Sequence, residues 1–170
     1  MTEAEVLDAT RNWIADATGI LWIDSYQGGP EPQEPYGVIN LMMSAPLYEN
    51  QIENEYPAEM VDDPDNFGDE IEQVSQAPVR DWYWQFSLNC YGDGGGDLLR
   101  KIKTVGKVPS ALRSLHPLSL FETSEIMDAT ELVNEAWQSR KQMDIEIRGL
   151  VRDGFVIDVA ETADVTVTSV

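Results

Sequence analysis

The segment DWYWQFSLNCY, residues 81–91, constrains the fold more than any other part of the sequence. Apolar side chains recur at every second position, and more polar side chains occupy the positions between them. Because successive side chains of a β-strand point to opposite faces, this alternation predicts a strand with one buried face. The residues predicted on that face are Trp82, Trp84, Phe86, Leu88 and Cys90.

The predicted strand runs into the glycine-rich turn GDGGGD, residues 92–97, and a helical pattern follows at residues 97–105. A strand, glycines and a helix in this order also occur in phosphate-binding loops. A P-loop needs Lys and Ser/Thr after its last glycine, whereas Asp97 and Leu98 follow Gly96 here. The dinucleotide fingerprint G-x-G-x-x-G would need a glycine in place of Asp97. We therefore predict a strand-to-helix turn with Asp97 as N-cap or first-turn acid, and no nucleotide site.

The other helical and strand patterns predict an α+β fold with a mainly antiparallel sheet. An N-terminal helix is predicted for residues 3–17, with Thr2 and Glu5 as a capping box and Gly19 as its C-terminal cap. With the helix at residues 97–105, a second short helix at residues 108–115 would form a central pair. Further strands are predicted for residues 20–26, 36–45, 118–126 and 143–151. The turn Asp153-Gly154 predicts a hairpin that joins the last of these to a following strand.

Acidic residues outnumber basic residues by 31 to 11, which gives a formal net charge of −20 at pH 7. Direct binding of a DNA backbone depends on clustered Lys and Arg, and anionic membranes attract the same residues. The charge therefore argues against a surface that grips nucleic acid or a membrane. Cys90 is the only cysteine, so an internal disulfide is excluded and a reducing compartment is expected.

The acidity is concentrated in one part of the chain. Residues 12–79 contain no Lys or Arg, and residues 48–75 contain ten acids. Pro57 and Pro64 lie inside this segment and disfavour a continuous helix or a central strand. We therefore predict an acidic loop excursion at about residues 48–77, within a single domain that spans residues 1–170. A connection of this length commonly has a function.

The sequence gives little support to a metal site or a catalytic site. Asp63, Asp65 and Gly68 resemble part of a calcium loop, but Val74 stands where that loop needs a bidentate Glu. His116 and Cys90 are far apart in sequence and form no recognisable ligand or nucleophile motif. We expect a binding or assembly protein that has no cofactor and is not an enzyme.

Two of the five tryptophans are candidate anchors for a protein partner. The spacing of Trp13, Trp82 and Trp84 places them on predicted core faces, whereas Trp22 and Trp137 lack such an assignment. Tryptophan is enriched among the residues that dominate binding energy at protein interfaces. Trp22 and Trp137 are therefore candidate interface residues.

Five pieces of the sequence form an ordered set: the N-terminal helix ending in ATG, the strand ILWIDS, the approach PEPQEPYGVINL, the strand and turn FSLNCYGDGGGDLLRKI, and the segment NEAWQSRKQMDIEIRGL. Their order resembles that of the tail-terminator (neck-terminator) proteins of long-tailed bacteriophages, and the similarity covers most of residues 3–167. In the last piece, Trp137, Arg140 and Asp144 match a W-x-x-R-x-x-x-D pattern of the family. The long acidic excursion departs from the family.

The resemblance implies a structural virion protein of the tail or neck that is assembled in the host cytoplasm. It implies a homo-oligomeric ring, typically a hexamer, that caps the tail tube, stops its polymerisation and meets the head–tail connector. The implied partners are the tail tube protein, other neck proteins and, if the tail is contractile, a sheath terminal ring. DNA would pass through the ring without specific binding, and no membrane would be involved.

The acidic excursion, the two tryptophans and the family motif supply candidate residues for a partner interface or for the lumen of the ring. They are Glu53, Glu55, Glu59, Asp62, Asp63, Asp65, Asp69, Glu70, Trp22, Trp137 and Arg140. Acids that line a channel would repel passing DNA. Two alternatives stay open: another neck ring, such as a head-closure or tail-completion protein, and an acidic protein that mimics DNA and captures basic proteins.

Overall fold

The predicted α+β fold is confirmed. The computed structural model describes residues 1–25, 30, 32–62, 70–133 and 136–157, with the backbone alone at residues 71, 132, 133, 136 and 137. The helices are α1 Glu3–Thr18 and α2 Gly95–Val105. The strands are β1 Leu21–Asp24, β2 Tyr36–Pro46, β3 Glu53–Glu55, β4 Ala58–Asp62, β5 Glu70–Tyr91, β6 Ser119–Thr123, β7 Met127–Asp128, β8 Glu131–Val133, β9 Ala136–Gln138, β10 Arg140–Arg152 and β11 Phe155–Val156.

The main sheet has the strand order β1, β2, β5, β10, β6. β2 pairs with β5 and β10 pairs with β6 in antiparallel register, whereas the short strand β1 runs parallel to β2. β7 pairs with β10, and β8 with β9 forms a separate two-stranded hairpin. β5 is therefore a central strand of the main sheet. The side chains on its two faces determine what packs on each side of the sheet.

The chain divides into two compact units. The core unit comprises Met1–Glu49 and Asp81–Val151, and the acidic unit comprises Asn50–Arg80 and Arg152–Val170. Strand β5 contributes residues to both units. The expectation that residues 1–170 form a single domain stays a prediction.

The core lies on the predicted apolar face of β5. Trp84, Phe86, Leu88 and Cys90 are all buried, and Trp82 packs partly buried against them. The neighbouring strands and both helices supply the rest of the core: Ile39, Met143, Ile145, Ile147, Val6, Trp13, Ile14, Leu99 and Ile102. The helices therefore cover one face of the sheet, as the alternation in β5 requires.

Helix α1 begins and ends where the sequence predicts. The Thr2 Oγ1 atom accepts a hydrogen bond from the Glu5 amide, and the Thr2 amide donates to Glu5 Oε2 at 2.7 Å. The hydrogen bond from the Thr2 amide lowers the pKa of Glu5. At the other end, Gly19 adopts φ 78° and its amide donates to the Ala15 carbonyl oxygen. Only glycine takes this left-handed conformation without steric cost, so the helix stops there.

The glycine-rich turn acts through backbone geometry. Gly92 and Gly94 have positive φ values of 93° and 80°, and Gly94 is the N-cap of α2. Asp97 lies in the first turn, where it forms an ion pair with Arg100 at 3.1 Å. The prediction of a strand-to-helix turn with a first-turn acid at Asp97 is therefore confirmed.

The prediction of a second central helix at residues 108–115 is wrong for most of that range. Residues 109–112 form turns, and only Arg113–Leu115 forms a short 3-10 segment. The Trp13 indole Nε1 donates to the Ala111 carbonyl oxygen at 2.9 Å, and the Leu115 amide bonds to Leu112 instead. An α-helix would need the Ala111 carbonyl to accept from Leu115, so the tertiary contact replaces that helical bond.

In the described part of the acidic segment, strands replace most of the predicted loop. β3, β4 and the first half of β5 occupy much of residues 48–77, and both short strands pair with β5 in antiparallel register. Pro57 lies in the two-residue link between β3 and β4, where it interrupts no ladder. Pro64 lies outside the described residues.

The hairpin predicted at Asp153-Gly154 is also wrong. β11 pairs with Ser75 and Gln76 of β5, not with β10. A tight two-residue hairpin needs positive φ at its turn. Among the described glycines, only Gly19, Gly92 and Gly94 have positive φ, so Gly154 does not reverse the chain in this way.

We predict that Gly37→Ala destabilises the core unit. Gly37 pairs in register with Trp22, and a Cβ atom at this position would lie 2.4 Å from Trp22 Cδ2. Overpacking of this kind costs about 1–3 kcal/mol. We expect a lower free energy of unfolding, measured by urea denaturation followed by circular dichroism.

Gly96→Ala is the matched control. Gly96 lies in α2, and the nearest atom to an added Cβ is Lys141 Cγ at 4.0 Å. Alanine in place of glycine inside a helix should stabilise by about 0.5–1 kcal/mol. The packing of Trp22 on Gly37 would be contradicted if both variants shifted the unfolding midpoint in the same direction.

We predict that the Cys90 thiol reports on the integrity of the core. Its burial raises its pKa from 9.0 to about 11, so the native chain should react slowly with a thiol reagent at pH 8 and rapidly in urea. The folded pKa is the higher one, so this contribution to stability is present below pH 9 and is lost as pH rises through about 11. A Cys90→Ala chain should show a flatter urea midpoint across that window. Equal labelling rates in the native and unfolded chains would contradict the burial.

Candidate interaction surfaces

The predicted acidic residues that the structure describes lie on a β-ribbon in the acidic unit. Within this ribbon, Glu53–Glu55 pairs with residues 77–79 of β5 and Ala58–Asp62 pairs with residues 70–74. Four of these candidate residues have exposed side chains: Glu53, Glu59, Asp62 and Glu70. The side chain of Glu55 is half-buried. The candidates Asp63, Asp65 and Asp69 lie outside the described residues.

Most of the described acids on the ribbon have no cation beside them. Glu55 is paired with Arg152, whose Nε lies 2.9 Å from Oε2. Among the described residues, Glu53, Glu59, Asp62 and Glu70 form no ion pair. Asp62 and Glu70 stand directly opposite each other in the ladder, where like charges are destabilising. The ribbon therefore offers uncompensated negative charge to a partner.

One face of the ribbon combines an apolar side chain with acids. The side chain of Met60 is 61% exposed, and Asp62 lies two residues further on the same face of β4. In the register of the ladder, Met60 stands opposite Glu72 and Asp62 stands opposite Glu70. We call this set, Met60 with Asp62, Glu70 and Glu72, the Met60 face.

Trp22 lies in the core of the core unit. Its side chain is 4% exposed, its ring lies across Gly37, and its indole Nε1 donates to Thr18 Oγ1 at 2.9 Å. In this conformation little of its surface is available to a partner. Its role as an interface anchor stays a prediction.

Arg140 lies in a polar cluster on the face of the sheet opposite the helices. Its Nε donates to Asn89 Oδ1 at 3.0 Å, and its Nη1 lies 3.2 Å from Glu131 Oε1. Its guanidinium carbon stands 5.8 Å from the ring centre of Tyr91, which stacks on Tyr36 at 4.9 Å. These contacts hold Arg140 in one orientation beside β5.

The two other residues of the family motif differ in what the structure describes. The backbone of Trp137 pairs with Leu132 in the β8–β9 hairpin, and its side chain lies outside the described part of the chain. Asp144 lies on the same face of β10 as Arg140 and lines a notch of about 250 Å³ together with Glu122 and Glu146. Within the described structure, its buried Oδ1 atom has no hydrogen-bond partner. The motif thus places the Arg140 side chain, which its contacts hold in one orientation, and the acidic notch on the same face of β10.

A basic groove in the core unit is a surface that the sequence interpretation missed. α1, α2 and residues 110–114 enclose about 560 Å³, with an apolar lining from Trp13, Ala17, Val105 and Ala111. Lys101 and Arg113 also line the groove, and both are exposed. The sequence did indicate a basic surface here, because residues 98–121 contain five basic residues and no acid.

No group of three or more His, Cys, Asp or Glu side chains in the described part of the chain could hold a metal ion. No described helix is long and apolar enough to cross a bilayer.

The comparison with protein families identifies the chain. A family model described as "Phage neck terminator protein" matches residues 4–170, which includes α1 apart from its first residue, β5 with its glycine turn, and the motif on β9 and β10. No curated protein matches the chain. Because the match spans far more than half of the sequence, the chain belongs to the phage neck terminator protein family, and its general role lies in the neck and tail of the phage.

Proposed function

We propose that this chain forms a hexameric ring on the last ring of the tail tube. In that position it stops tube polymerisation and joins the tail to the head-side connector. The observation that carries the proposal is the family match across residues 4–170. The chain acts as a structural subunit of the virion without catalysis, and it is assembled in the host cytoplasm.

Exposed apolar residues on β2 support a role in assembly. Met42 and Met43 follow each other at an irregularity in the ladder with β5 and are 59% and 50% exposed. The Tyr83 hydroxyl donates to Met43 Sδ at 3.0 Å, which joins this aromatic side chain to the patch. Adaptable Met side chains suit a surface that must fit a partner. We propose that this patch contacts the tail tube protein or a neck protein.

The negative charge supports a passive channel for DNA. Each copy carries a formal charge of −20, and a ring of six copies would repel a polyanion wherever its acids face the lumen. We propose that Glu53 and Glu59 belong to this set, because both are exposed and lack an ion-pair partner in the described structure. DNA would then pass through the ring without specific binding.

We predict that a phage without this chain assembles overlong tail tubes. The reason is that polymerisation of the tube would continue in the absence of a cap. Electron micrographs of particles from a deletion phage would measure tube length, and the same phage supplied with the wild-type chain from a plasmid is the control.

Tube length separates this function from its alternatives. Tubes of normal length with unjoined heads would contradict termination and favour a head-closure or tail-completion ring. Normal particles, together with capture of basic proteins by a stable monomer in solution, would favour the DNA mimic.

A further inference from the structure

The charge of this chain is divided between segments of opposite sign. Residues 12–79 contain no Lys or Arg, whereas residues 98–121 contain no acid. The basic residues of the second segment are Arg100, Lys101, Lys103, Lys107 and Arg113. Between two copies that each carry a net charge of −20, a stable contact is favoured where opposite charges face each other at short range.

Two of these five basic residues, Lys101 and Arg113, line the basic groove beside an apolar floor. Trp13, Val105 and Ala111 lie in its lining, and the hydrogen bond from the Trp13 indole to Ala111 holds the wall formed by residues 110–114 against α1. Lys101 and Arg113 have no ion-pair partner among the described residues. One acid, Asp16, also lines the groove. The groove therefore suits an apolar side chain flanked by carboxylates.

The Met60 face presents that combination. The largely exposed Met60 side chain shares its face of the ribbon with Asp62, Glu70 and Glu72, and all three acids are exposed. The like charges of Asp62 and Glu70 oppose each other across the ladder in the free chain. A partner that places cations beside them would relieve this repulsion. A flexible Met side chain adapts readily to an irregular apolar floor.

We propose that the Met60 face of one copy docks into the basic groove of the next copy. The two surfaces differ, so the contact is heterologous, and repetition of a heterologous contact closes a ring when the rotation fits. This inference rests on the proposed function, because it assigns the contact between neighbouring subunits of the proposed ring. Glu59 lies on the other face of β4 and stays free for the lumen.

The first test is a disulfide between copies. Met60→Cys and Ser110→Cys are introduced together, because both positions are exposed and Ser110 lines the groove. The native Cys90 is buried, so we expect it to form no disulfide in this experiment. The deletion phage described above receives this variant from a plasmid, and oxidised particles are run on a non-reducing gel. We expect a ladder from dimer to hexamer, and only monomer from either single variant.

The second test reverses the charges. Lys101→Glu with Arg113→Glu should abolish capping, as should Asp62→Lys with Glu70→Lys, because each places like charges across the contact. Supplied together, the two variants can alternate around the ring with opposite charges at every contact. We expect each variant alone to reduce the yield of normal-length tails by roughly tenfold or more, because like charges then face each other, and we expect the mixture to restore most of it.

A matched control separates the groove from net charge. Lys101→Gln with Arg113→Gln and Ala4→Glu with Ser119→Glu both change the net charge from −20 to −22. Ala4 and Ser119 are exposed and lie outside the groove and the Met60 face. We expect loss of normal-length tails only for the first pair.

The outcomes distinguish this inference from the proposed function. Normal-length tails without a ladder, or a monomer that carries a disulfide within one chain, would overturn the docking and leave termination intact. Unchanged tube length in the deletion phage would overturn termination itself. A ladder together with restoration by the mixed variants would establish the contact.

Discussion

Burial of one face of β5 is the constraint on which the core unit depends. β5 is paired on both sides, so its backbone is satisfied within the sheet and its apolar side chains need a covering layer. α1 and α2 supply that layer through residues such as Trp13, Ile14 and Leu99. The turn at Gly92 and Gly94 follows from the same requirement, since the chain must leave the end of β5 and return across its apolar face.

Local patterns predicted the elements whose determinants are local. The alternation at residues 81–91 predicted the faces of β5, and the capping box with Gly19 predicted both ends of α1. Residues 108–115 could not be predicted in this way. Their path depends on a bond between Trp13 and Ala111, which are 98 residues apart, and helix propensity carries no information about such a contact.

The strand structure of the acidic segment and the pairing of β11 also depend on residues that are distant in sequence. The prolines were interpreted as barriers to strands, yet Pro57 falls in a link and β5 supplies the pairing partner for β3, β4 and β11. Of the candidate site residues, the exposed acids of the ribbon could be predicted from charge alone. The burial of Trp22 could not, because it depends on the register that places Gly37 beside it. The basic groove needed the fold, which joins α1 to residues 101–114.

The separation of charge along the chain has a consequence for association in general. At physiological ionic strength the field of an exposed charge is screened beyond about 8 Å. Two copies therefore feel little of each other's total charge until their surfaces are close, and then local pairs of opposite sign decide the orientation. Surfaces of mixed apolar and charged character, such as the lining beside Lys101, gain from desolvation and from charge pairing together.

The hydrogen bond from Trp13 to Ala111 also determines when, during synthesis of the chain, the wall of the groove can form. The ribosome delivers Trp13 long before Ala111, so the wall that this indole holds against α1 cannot form until about two thirds of the chain has been synthesised. Until then α1 can pack against β1 and α2, which precede Ala111 in the chain, but it lacks the wall that completes the groove. In the docking proposed above, a nascent chain would therefore have no finished groove to offer a neighbour, and recognition between copies would be confined to molecules that have already folded.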